Sequence, residues 1–193
     1  MGSNCTCPCC RHSRAELTDY EYAWYLRGKI EAANSIPKSV LEYCRNPLKA
    51  TKAELDYEMD LWHDDSGNHI IIREIVAQIR KNNLEVPTSF EDLDGPVSGG
   101  ERANDREVGW NLKGYIETAA EVPDCIIERC SSETATQEER EFVKNLAETL
   151  DCRRRLLAEM VTTMDKPDPA FRCPEDYRIP KELYHAEVKN NDN

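Results

Sequence analysis

Sliding the chain against itself by 86 residues places Glu21 to Cys44 over Glu107 to Cys130, and 10 of the 24 paired positions are identical. The shared pattern is W-x-L-x-G-x-I-E-x-A-x-x-[IV]-P-x-x-x-x-E-x-C, carried by Trp24/Trp110, Leu26/Leu112, Gly28/Gly114, Ile30/Ile116, Glu31/Glu117, Ala33/Ala119, Pro37/Pro123, Glu42/Glu128 and Cys44/Cys130, and preceded by Glu21/Glu107. Self-similarity at a fixed offset restricts the architectures available, because one supersecondary unit must then serve twice.

The unit reads as helical. Leu26, Ile30, Ala33, Pro37, Val40 and Cys44 recur at steps of three and four, as do Leu112, Ile116, Ala119, Pro123, Ile126 and Cys130, the spacing of one helix face. A proline on that face removes a backbone hydrogen bond, so each segment is expected to kink at Pro37 or Pro123, or to break there into two shorter helices. With the offset reduced by one residue the likeness continues. Thr51 to Glu54 and Thr136 to Glu139 both carry the signature of a capping box, in which a threonine and a glutamate three residues later satisfy each other's backbone amides. Asp64 to Asn68 has the composition of a loop, but the second copy carries Thr149 to Arg153 there, which predicts a weak point in one long helix rather than a break.

The expected fold is therefore all-α: an antiparallel helical bundle built from two tandem helical hairpins with pseudo-twofold symmetry, 19–83 and 106–165, forming one domain. Residues 84–105, with Pro87, Pro96 and the Gly99-Gly100 pair, read as a connecting loop, and 166–193 as a proline-containing tail.

Composition narrows the functions. A net charge of -12 speaks against broad contact with nucleic acid, which needs a positive footprint, and no apolar run is long enough to span a bilayer. Four of the nine cysteines crowd into the first ten residues instead of spreading as a disulfide framework, and no signal-peptide core follows Met1. The chain is therefore expected to stay in the cytosol with its thiols free or modified.

The N-terminus, residues 1–18, matches a lipid anchor. Met1-Gly2-Ser3-Asn4-Cys5-Thr6 fits the M-G-x-x-x-[ST] pattern of N-myristoylation at Gly2, and Cys5, Cys7, Cys9 and Cys10 stand where palmitoylation commonly follows. One myristoyl chain holds only with about 10⁴ M⁻¹, so a second acyl chain is what makes such an anchor stable. Arg11, His12 and Arg14 form a small basic collar beside it. The C-x-C-x-C-C run also offers soft ligands to zinc or copper(I), which keeps a cysteine-rich metal-binding protein open as an alternative.

Elsewhere the chemistry is sparse: no G-x-S-x-G, P-loop or dinucleotide fingerprint occurs, and no cofactor is implied. Glu31 and Glu117, equivalent in the two copies, together with Asp60 and His63, are the residues that would build a metal site for a helical hydrolase or di-metal oxidoreductase. Glu182 to His185 repeats the E-x-x-H pattern in the tail, without partner carboxylates. Cys44 and Cys130 read as small core residues. Trp24, Gly28, Trp110 and Gly114 are either core or a repeated aromatic groove for a partner's amphipathic helix, and Arg153 to Arg155 is a basic run in an acidic chain. The leading expectation is a peripheral adaptor or scaffold rather than an enzyme, held by acyl chains on the cytoplasmic face of a membrane and binding a protein partner. A homodimer closing an unpaired hairpin face stays open.

Overall fold

The computed structural model describes residues 17–95 and 103–163. All regular structure among them is helical: α1 (Asp19–Asn34), α2 (Lys38–Cys44), α3 (Lys52–Lys81), α4 (Thr88–Glu91), α5 (Asp105–Ala120), α6 (Asp124–Cys130) and α7 (Gln137–Thr163). Gly2, Cys5, Cys7, Cys9 and Cys10 lie outside the described residues, as does the tail from 164 onward.

Local sequence explains each start. Thr18 with Glu21, Thr51 with Glu54 and Asn104 with Glu107 form capping boxes at α1, α3 and α5. At α7 the Glu139 carboxylate accepts from the Thr136 amide at 2.8 Å, while the Glu139 amide donates to the Thr136 hydroxyl at 3.2 Å. The prolines break the first segment rather than bend it. Pro37 and Pro123 occupy N-cap positions with φ near -60° and ψ near 143°, an extended geometry that starts α2 and α6 anew. Each aligned segment is thus a long helix, a two-turn helix and a longer helix, the broken form that was one of the two expectations at Pro37 and Pro123.

Asp64 to Asn68 lies within continuous α3, as its alignment with Thr149 to Arg153 implied. Gly67 sits there with open space around the position of a Cβ. Replacing Gly67 with Ala is expected to stabilise the fold by about 0.5–1 kcal/mol through helix propensity alone, read as a higher denaturation midpoint. α3 closes with Asn83 in the left-handed conformation (φ 55°), and the Leu84 amide donates back to the Ile79 carbonyl at 3.1 Å.

α1 and α5 form the centre, with α3 packed on α1 and α7 on α5. The central pair is enclosed nearly all round instead of along one stripe, so polar residues such as Arg27, Lys29, Asn111 and Lys113 are buried with the apolar ones. Contact between the two helices runs backbone to backbone. Gly28 lies against the Asn111 carbonyl and 2.9 Å, as a Cβ would sit, from the Tyr115 nitrogen; Gly114 lies against the Tyr25 carbonyl in the same manner.

The stretch 84–95, expected as a plain loop, is docked. Phe90 is buried with its ring 4.9 Å from Trp24, and fully buried Arg27 donates from Nε to the Ser89 carbonyl at 3.0 Å and from a terminal nitrogen to the Gly95 carbonyl.

A second junction gathers the starts of the long helices. Arg129 of α6 pairs with Glu54 of α3 at 3.3 Å and with Glu139 of α7 at 2.6 Å, and its guanidinium lies 4.0 Å over the Tyr43 ring of α2. Burial alone would raise the Glu139 carboxyl, but hydrogen bonds from Thr136 and the Arg129 charge outweigh it and hold Glu139 below the usual carboxylate range. Burial likewise opposes, and the Arg106 guanidinium at 2.6 Å with the Thr18 bonds overrides, at Glu21. Both acids release their protons more readily folded than unfolded. Their contribution is present above about pH 4.3, the unfolded value, and is lost as pH falls through the lowered folded values. Glu121, whose carboxyl burial raises against the pull of Lys29, acts with the opposite sign. A denaturation midpoint that falls on acidification below about pH 4, with Glu139→Gln removing part of the fall, is the expected result.

Candidate docking surface

The buried side of α3 is aliphatic, carrying Ile72, Ile75, Val76 and Ile79. Its opposite side is not the polar face such a helix ordinarily turns outward. Met59 and Trp62 are each 62% exposed and Ile70 is 57% exposed. At 100° per residue these three fall within one strip, with half-buried Leu55 and Ser66 on the same line. Exposed Asp56 and Asp60 run along one edge of the strip; Glu58, which holds Arg45 at 2.5 Å, and Asp65, 3.7 Å from His69, run along the other.

α7 supplies an internal comparison. With the offset of 85 that aligns the capping boxes, Leu55, Met59, Trp62 and Ile70 correspond to Arg140, Lys144, Ala147 and Arg155. That face is conventionally charged, and Lys144 pairs with Glu148 at 3.7 Å and Arg155 with Asp151 at 3.0 Å. The same scaffold position is therefore wettable on one helix and greasy on the other.

The residues expected to carry partner binding or metal chemistry have other occupations. Trp24 and Trp110 are 3% and 2% exposed: Trp24 packs on Phe90, and Trp110 meets the Tyr25 ring edge-on at 6.2 Å with Lys113 5.1 Å above it. Gly28 and Gly114 admit a neighbouring helix backbone, so these four residues build the core and no aromatic groove opens at them. Glu31 pairs with Arg153, whose guanidinium lies 3.7 Å over Tyr115. Glu117 accepts the Tyr25 hydroxyl at 2.6 Å and faces Lys113 at 3.8 Å. Asp60 and His63 are exposed on α3. The proposed metal set is thus not assembled: each central glutamate is held by its own donors, and among the described residues no group of three or more His, Cys, Asp and Glu side chains could hold a metal ion. Arg153 to Arg155 is no open basic patch either, since Arg153 and Arg155 are both paired.

Cys44 and Cys130 are fully buried, and burial pushes both thiols up to about 11. Thiols held protonated in this way are poor nucleophiles, in keeping with their place as small core residues. The α3 strip leaves no trace among the identities, because Met59, Trp62 and Ile70 stand where the aligned α7 carries Lys144, Ala147 and Arg155. Arg129 escaped sequence reasoning for the same reason, since its counterpart is Tyr43.

No protein-family model, curated protein or solved structure matches the chain.

Proposed function

We propose that this protein is a peripheral adaptor: an all-helical body, made of two tandem copies of one helical unit, that is tethered to the cytoplasmic face of a membrane by acyl chains at Gly2 and at Cys5, Cys7, Cys9 and Cys10, and that engages a protein partner through the outer face of α3. The observation carrying the reading is the exposed strip of Met59, Trp62 and Ile70, set against the charged face at the same place on α7. Large apolar side chains left exposed along one helix line and bordered by polar residues are a common mark of a contact site.

The duplication draws support from the equal lengths of α1 and α5 and of α2 and α6, and from the Gly28 and Gly114 contacts, which are one contact made twice. After duplication one copy's third helix could take on binding while the other kept its solvated face. Among the described residues no helix is long and apolar enough to cross a membrane, so a tether is what would bring this acidic body to a bilayer.

The tether is tested by the intact mass of the protein from eukaryotic cells, together with membrane fractionation. One myristoyl group plus hydroxylamine-sensitive acyl groups, with release to the soluble fraction on Gly2→Ala, is the expected outcome. An unmodified chain that fractionates identically with and without Gly2→Ala would remove the anchor from the account.

A further inference from the structure

Resting on the reading of α3 as the docking face, we infer the chemistry of its occupant: a basic amphipathic helix of a protein partner, laid along the strip so that its apolar side covers Met59, Trp62 and Ile70 and its lysines or arginines meet the acidic edges.

Three features of the surface select this occupant. The strip is helical in spacing and spans Met59 to Ile70, about 17 Å at 1.5 Å per residue, which matches three turns of a partner helix. An exposed tryptophan at its middle is the side chain that most often anchors such contacts. One edge carries the exposed Asp56 and Asp60, within a chain of net charge -12, so cations flanking an apolar stripe are attracted along that edge, while on the other Glu58 already holds Arg45 and Asp65 lies beside His69.

The same edges disfavour the other occupants. A second copy meeting α3 with α3 across a twofold would bring like acidic edges together, which costs binding free energy. A membrane whose cytoplasmic leaflet is anionic would repel them as well.

The test titrates the full-length Gly2→Ala chain with an 18-residue peptide of Leu and Lys patterned at i, i+3, i+4 and i+7, and with the same peptide carrying Glu for Lys. Trp62 is the exposed member of the three tryptophans, so a blue shift of tryptophan emission reports its burial. The Lys peptide is expected to bind with that shift, the Glu peptide to give none, and the charge-neutral Trp62→Ala to weaken binding at least about tenfold by calorimetry, the loss of one well-buried anchor. The combined Met59→Lys, Trp62→Ala and Ile70→Arg variant, which gives α3 the residues α7 carries, is expected to abolish it.

Binding that is unchanged by Trp62→Ala, or equal for the two peptides, would overturn the inference. So would a dimer in sedimentation that Trp62→Ala dissociates, or Trp62-dependent binding of phosphatidylcholine vesicles, each of which names a different occupant. Circular dichroism verifies that the variants fold; should the combined variant unfold, Trp62→Ala alone decides. Loss of peptide binding in a chain that is acylated normally would remove this occupant and leave the tether standing, whereas an unacylated chain that binds the peptide would do the reverse.

Discussion

One methyl group added at position 28 is expected to destabilise the protein by about 3 kcal/mol or more, although the same change at position 67 stabilises it. In an open helix Ala is better than Gly by about 1 kcal/mol. At Gly28 that preference is overwhelmed, because the new Cβ would run into the Asn111 carbonyl and stand 2.9 Å from both the Asn111 carbonyl carbon and the Tyr115 nitrogen. These are backbone atoms of a buried helix, so no side chain can swing aside, and α1 and α5 must move apart along the whole central contact. Overpacking of a tight core costs about 1–3 kcal/mol when side chains can adjust, and more when they cannot. Gly114→Ala meets the Tyr25 carbonyl in the same way and should cost a similar amount. For a chain of this size a loss of about 3 kcal/mol lowers the melting temperature by about 6–12 °C. A Gly28→Ala protein that melts with the wild type would show that the helices do not approach as described.

The second large effect is expected at Arg129. Its guanidinium serves Glu54, whose side chain is 4% exposed, and Glu139 at the same time, while lying on Tyr43. Arg129→Met keeps most of the volume but takes the cation from one oxygen of each carboxylate at the starts of α3 and α7, leaving the other oxygen in its bonds to Thr51 or Thr136. Breaking a buried pair by removing one partner costs about 3–5 kcal/mol, and the partial exposure of Arg129 and Glu139 places the expected loss nearer 2–4 kcal/mol. Adding Glu54→Gln and Glu139→Gln should return much of it, since Gln also completes a capping box and carries no charge to strand. Denaturant unfolding of the single and combined variants separates the pair energy from the loss of packing. If the three-residue variant is no more stable than Arg129→Met, the ion pairs are not what joins α6 to the starts of α3 and α7.

Much of the architecture was legible because it is written in local signals repeated twice. The Thr-x-x-Glu starts at Thr51 and Thr136 and the prolines at 37 and 123 follow from backbone chemistry within a few residues, whereas the continuity of α3 through Gly67 runs against local composition and was legible only from the aligned Thr149 to Arg153. The central place of α1 and α5 was not legible. Arg27, Lys29, Asn111 and Lys113 are polar, and sequence periodicity assigns such residues to solvent, whereas here the neighbouring helix and the docked 84–95 stretch enclose them. Gly28 and Gly114 stand out in the shared pattern, but the residue type alone does not tell a groove from the backbone of a neighbouring helix. Apart from exposed Glu42 and Glu128, the identities between Glu21 to Cys44 and Glu107 to Cys130 are buried or half-buried residues. The proposed docking residues Met59, Trp62 and Ile70 stand where the aligned segments differ, against Lys144, Ala147 and Arg155.

On the proposed function α3, and not α7, meets the protein partner. Photocrosslinking tests it directly, with a benzophenone amino acid placed at position 62 and, in a separate chain, at position 147, the equivalent place on α7. The account predicts a discrete adduct in expressing cells from position 62 that Met59→Lys with Ile70→Arg abolishes, and none from position 147. Equal adducts from both positions, or an adduct at 62 indifferent to its neighbours, would contradict it.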